Sequence, residues 1–164
     1  MLDPLIDDPL GEQDEMTITI SSILSSDPSR SVDALKKLQK ILDIPLEAET
    51  LASDFQSLAN HTDGLVETIV LQMRHVWEEK EGVSEPDNYR LAKHLIQTLN
   101  AFCEHNVLAE SLPVDILTSL LEELTLRLLQ TDASTESKVK DLSRFINMII
   151  LRLFSTARRI NVLR

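Results

Sequence analysis

Apolar residues recur every three or four positions along most of this chain, a spacing that predicts helices. The densest run is Ser143–Phe154, SRFINMIILRLF, where Asn147 and Arg152 are the only polar residues between Phe145 and Phe154. Leu142, Ile146, Ile149 and Leu153 form its seam. Phe145, Met148, Ile150, Leu151 and Phe154 carry the apolar surface most of the way round. A helix of this kind is expected to be wrapped by others, as the buried centre of the fold. Lys140, Arg144, Asn147, Arg152 and Ser155 leave it one narrow basic edge.

From the N-terminus, Met1–Glu15 holds two prolines, a glycine and six acids without a base. It reads as a flexible acidic arm over 1–15, ahead of a helical-repeat domain over 16–164. Leu2, Leu5, Ile6 and Leu10 leave a second reading open: an acidic peptide that docks on a basic groove, such as the chain's own Arg-rich end. Met16–Ser25 is a short helix, broken by Asp27-Pro28-Ser29. Ser29 or Ser31 caps Val32–Leu42, with Leu35, Leu38, Ile41 and Leu42 inward and Lys36, Lys37 and Lys40 outward. After Pro45 comes a weaker segment, Glu47–Ala59.

A long helix from about His61 to Glu79 follows, on Leu65, Ile69, Met73 and Val76. The loop Gly82–Pro86 leads to a helix from Asp87 or Asn88, seamed by Leu91, Leu95, Leu99 and Phe102. Val107–Ser111 is a turn or half-helix. Pro113 reads as the first-turn proline of Val114–Gln130, and Ser134 or Thr135 as the cap before the last helix. The long helices lie about 25 residues apart, so a pair takes about 50, near the long end of the HEAT and armadillo periods. Short connections favour antiparallel neighbours. The predicted fold is all-α, with about six to eight helices in HEAT-like antiparallel pairs, an α-solenoid segment rather than a closed four-helix bundle. The apolar restart at Ile160, Val162 and Leu163 is the pattern expected of an array cut between repeats.

Composition narrows the class further. Three glycines and 4% aromatic residues fit a helical chain of 164 residues. A net charge of −11 disfavours nucleic-acid and anionic-membrane partners, although five arginines and no acid follow from Arg144 onward. A single cysteine, Cys103, excludes an internal disulfide and suits a reducing cytosol. The acidic N-terminus has no signal-peptide pattern. The apolar run of the last helix is about half the roughly 20 residues of a membrane span.

Candidate chemistry is sparse. His61, His75, His94 and His105 show no zinc spacing and read as surface or boundary residues, with His94 half-buried at the edge of a seam. Cys103 reads as inert core. No glycine-rich phosphate loop exists, and the carboxylates of Glu78, Glu79 and Glu81 read as a solvated helix end. No cofactor, metal or catalytic residue is expected. The basic residues Lys140, Arg144, Arg152, Arg158 and Arg159 are the candidate partner-binding set, and Lys36, Lys37 and Lys40 the alternative basic face. Complementation of the helix dipole is the plainer reading of the arginines.

Four ordered stretches resemble the C-terminal, TOG-like helical region of the TOG-domain microtubule-polymerase family. They are ISSILSSDPSRSVDALKKLQKIL (20–42), HTDGLVETIVLQMRHVW (61–77), YRLAKHLIQTLNAFCEHNVLAE (89–110), and RFINMIILRL with INVL (144–153, 160–163). The resemblance implies HEAT-like pairs in a non-enzymatic cytoplasmic protein of the microtubule and spindle cytoskeleton. It implies recruitment or scaffolding at spindle poles, centrosomes and plus ends, with TACC-type coiled coils, tubulin or microtubules as partners. The alternatives are a direct tubulin-binding TOG domain and an unrelated helical-repeat adaptor. The family's tubulin-binding tryptophan is surrounded by bases, whereas Trp77 here precedes Glu78-Glu79-Lys80-Glu81.

Overall fold

The computed structural model describes residues 15–44 and 53–159, with side chains to Thr156 in the last helix. Within them are eight α-helices, one 3-10 turn and no strand. Helix α1 covers residues 15–22 and α2 Pro28–Leu42. Then come α3 (Ser53–Ala59), α4 (Thr62–Glu78), the 3-10 turn Gly82–Ser84 and α5 (Pro86–Cys103). The chain continues through α6 (Asn106–Glu110), α7 (Val114–Asp132) and α8 (Ser137–Arg159).

Prolines set two of the helix starts. Pro28 and Pro86 each occupy the first turn of their helix, where a missing N–H costs nothing. The residue before each is the cap: Asp27 accepts from Ser29 N at 3.0 Å, and Glu85 accepts from Asn88 N at 2.8 Å. Both helices therefore begin earlier than the apolar pattern implied, and the expected caps Ser29 and Ser31 lie inside α2. Helix α7 starts at Val114 as expected, with Pro113 as its N-cap rather than in its first turn. The α4–α5 turn needs Gly82, whose φ of +58° is a left-handed conformation costly for other residues. Glu15 already belongs to α1. The rest of the expected arm, the first part of the Glu47–Ala59 segment and the Ile160–Leu163 restart lie outside the described residues.

The helices stack as pairs, α1/α2, α4/α5 and α7/α8, with short α3 and α6 between successive pairs. One layer holds α2, α5 and α8. Gln39 of α2 donates to Thr98 Oγ1 of α5 at 3.0 Å, and on the other flank of α5 Lys138 of α8 lies 4.7 Å from the Tyr89 ring. In the other layer α4 packs on α7, and Gln72 of α4 donates to the Ile23 carbonyl beyond α1 at 2.7 Å. This is the predicted HEAT-like arrangement of antiparallel pairs.

The centre of the array is α5, not the greasier α8. Helix α5 packs against α2, α4, α6 and α8, and buries Leu91, Leu95, Ile96, Leu99 and Phe102. Helix α8 packs on α5, α6 and α7, which cover only one side of it. Its seam Leu142, Ile146, Ile149 and Leu153 is buried as expected, but Phe145, Met148, Leu151 and Phe154 are exposed. The expectation of a wrapped central helix fails because apolar content marks what a neighbour could cover, while position in the stack decides whether one is there.

Helix α5 therefore carries most of the cooperative core. Leu95→Ala, at a fully buried position, should lower unfolding free energy by about 2–5 kcal/mol in urea titrations, whereas Leu151→Ala should change it by less than about 0.5 kcal/mol.

Candidate functional site

The exposed face of α8 is mixed rather than purely basic. Phe145, Met148, Leu151 and Phe154 follow one another at three-residue steps, which makes a diagonal ridge across the outside of the helix. Phe145 and Leu151 are 51% and 60% exposed. The ridge is about 13 Å long at 1.5 Å per residue. Arg144 is exposed beside it. Arg152 flanks it and reaches Glu104, the C-cap of α5, at 3.8 Å.

The sequence-derived set is thus only partly gathered. Arg144 and Arg152 share the ridge. Lys140 is exposed one turn earlier, and its Nζ donates to the Asp132 carbonyl at 3.0 Å, capping the end of α7. Arg158 and Arg159 continue the backbone of α8, and their side chains lie outside the described residues. Lys36, Lys37 and Lys40 are exposed on α2. Lys36 and Lys40 line a groove with Gln97, Ala101 and Glu104 of the α5 end. Glu104 therefore stands between the two basic sets and touches the α8 set through Arg152.

Two polar clusters escaped the sequence reading. Arg127 of α7 is 1% exposed and pairs with Glu123 one turn earlier. It also donates to Gln130 at 2.9 Å, reaches Glu78 of α4 at 3.2 Å, and lies 6.0 Å from the Trp77 ring. The signal was legible: Glu123 and Arg127 are an i,i+4 pair flanking Leu124 in the α7 apolar seam. The second cluster is centred on His105, which is buried rather than at the surface. Its Nε2 lies 2.6 Å from the Leu42 carbonyl, and its ring sits 5.0 Å from Phe55. Both clusters join successive pairs and are structural.

The turn joining α4 to α5 exposes Glu79, Glu81 and Asp87 around Lys80, and the turn joining α7 to α8 exposes Asp132. Trp77 is half-buried, its ring 6.0 Å from the buried Arg127 guanidinium. Among the described residues no three His, Cys, Asp or Glu side chains are grouped to hold a metal ion, and no helix is long and apolar enough to cross a membrane. The Cys103 thiol is buried, and desolvation pushes its pKa up to about 12.

Two outcomes test this reading of the side chains. Arg127→Ala should cost about 3–5 kcal/mol in denaturant melts because it strands the buried Glu123 carboxylate, while the double variant Arg127→Met, Glu123→Gln should recover much of that loss. Cys103 should resist Ellman's reagent at pH 8 in the native protein and react at once in denaturant; fast labelling of the folded chain would contradict its burial.

Comparison with protein-family models, with curated proteins and with solved structures gives no match for this chain.

Proposed function

We propose that this chain is a non-catalytic protein-interaction module of a microtubule polymerase, serving recruitment or scaffolding at spindle poles, centrosomes and plus ends. The observation that carries the interaction reading is the ridge Phe145–Met148–Leu151–Phe154 with Arg144 and Arg152 beside it. A rigid array that leaves four large apolar side chains in water on one helix, with bases next to them, suits a partner helix with an apolar stripe and acidic flanks. A TACC-type coiled coil is the partner of this kind that the resemblance implies. The microtubule setting rests on the four-stretch resemblance, and stacked helix pairs are the fold that resemblance implies.

Direct tubulin binding is the weaker reading. The intra-pair turns, where the family's tubulin contacts lie, carry acids here, and Trp77 is packed against Arg127 instead of standing exposed. An acidic edge repels an acidic partner.

The test is titration calorimetry of the full chain against the matching TACC coiled coil and, separately, against free tubulin. Leu151→Asp and Arg144→Glu should each weaken coiled-coil binding at least about tenfold without lowering the melting temperature. Absence of coiled-coil binding by the folded chain overturns the recruitment reading. Salt-sensitive tubulin binding lost on charge reversal at Lys36, Lys37 and Lys40 would replace it with the tubulin-binding one.

A further inference from the structure

Of the eleven large apolar side chains exposed among the described residues, seven lie on the last pair, three on α7 and the four ridge residues on α8. Each helix of that pair is covered on one flank within its layer. Helix α4 meets α7 on the side of Glu123 and Arg127, and α5 meets α8 on the side of Lys138 and Arg152. At 100° per residue, the flanks turned away from these contacts carry Val114, Glu122 and Leu129 on α7, and Arg144, Leu151 and Phe154 on α8. All six are exposed.

The two free flanks have opposite charge. The exposed charged residues of α7 are all acids, Asp115, Glu122 and Asp132. Asp115 lines a groove with Arg74 of α4, which leaves Glu122 and Asp132 toward the free side. On α8 the free side holds Lys140 and Arg144, while the one acid of the helix, Asp141, falls on the α5 side with Lys138 and Arg152. A surface with acid on one helix and base on the next complements itself when turned by 180°, as a two-fold contact requires. We propose that the α7–α8 face binds a second copy of this chain, with α7 of each copy lying antiparallel on α8 of the other.

Register supports this pairing. The two helices leave their turn antiparallel, so positions equally far from it stand level. Glu122 is ten residues before Asp132 and Asn147 ten after Ser137, which puts Glu122 about 4.5 Å along the axis from the level of Arg144. A two-fold axis parallel to the helices keeps that level and sets Glu122 of each copy beside Arg144 of the other. By the same count Val114 stands level with Ser155, so it meets Leu151 and Phe154 across the interface. Helix α7 is about 28 Å long and two packed helices are about 18–20 Å wide. Each copy therefore covers roughly 500 Å² and the two about 1,000 Å², enough for a weak dimer and too little for an obligate one. The inference goes beyond the coiled-coil reading and does not need it. The two occupants share Leu151 and Phe154, so a coiled coil on the ridge competes with the second copy.

Sedimentation velocity of the full chain alone, from about 1 to 200 µM, should show a monomer–dimer equilibrium that high salt weakens. Glu122→Arg and Arg144→Glu should each weaken dimerisation at least about tenfold with the melting temperature unchanged. Mixing the two variants should restore the dimer, because the mixed pair regains both opposite-charge contacts, and the double variant E122R/R144E should dimerise by itself. A chain that stays monomeric, a dimer indifferent to Glu122→Arg, or a mixture no more dimeric than its components overturns the proposal. None of these results touches the coiled-coil titration of the unmodified chain. Loss of coiled-coil binding with the dimer intact removes the recruitment reading alone.

Discussion

A helix that is apolar on several flanks is stable in water only if each flank meets a neighbour, and α5 has those neighbours. Helix α4 packs along it, α2 meets the side of His94 and Thr98, and α8 meets Tyr89 and Cys103. The stacking of the pairs follows from this. An array in which α5 is covered on both sides within its layer must place α2 and α8 on opposite flanks, which fixes three pairs in succession rather than a closed ring of four helices.

Polar contacts then set the register between pairs, where apolar packing alone tolerates sliding. Gln72 reaches the Ile23 carbonyl in one layer and Gln39 reaches Thr98 in the other, so the first and second pairs are tied in both. The second and third pairs are tied by the buried Arg127 cluster and by the exposed Arg152–Glu104 contact. These ties differ in kind. Arg127 stands in low dielectric with all its partners in place, so its loss is costly, whereas Arg152 is screened by water and holds little energy. The asymmetry leaves Arg152 free to exchange Glu104 for another acid at little cost.

The ridge itself is the unresolved remainder of the packing. Nothing in the described chain covers Phe145, Met148, Leu151 and Phe154, although the same helix buries Ile146, Ile149 and Leu153 completely or nearly so. Exposed apolar rows of this length are expensive to keep in water and invite a partner, and the adjacent bases bias that partner toward acid. The coiled-coil partner proposed for α8 draws on that chemistry.

The helices, their order and their pairing were legible in the sequence because each rests on local information: apolar spacing, helix-breaking prolines, and short connections that bring neighbours together antiparallel. The seam of α8 and that of α5 were both read correctly residue by residue. What the sequence could not decide was which seam lies at the centre, since period 3.6 reports which face a helix can bury and not how many neighbours it receives. The same limit hid the exposed ridge, whose four side chains looked like core, and the burial of His105, whose partners Leu42 and Phe55 are brought to it only by the stacking of pairs distant in the chain. Local pattern determined the elements; the tertiary structure alone decided which apolar surface was left exposed, because that depends on where each helix stands in the stack.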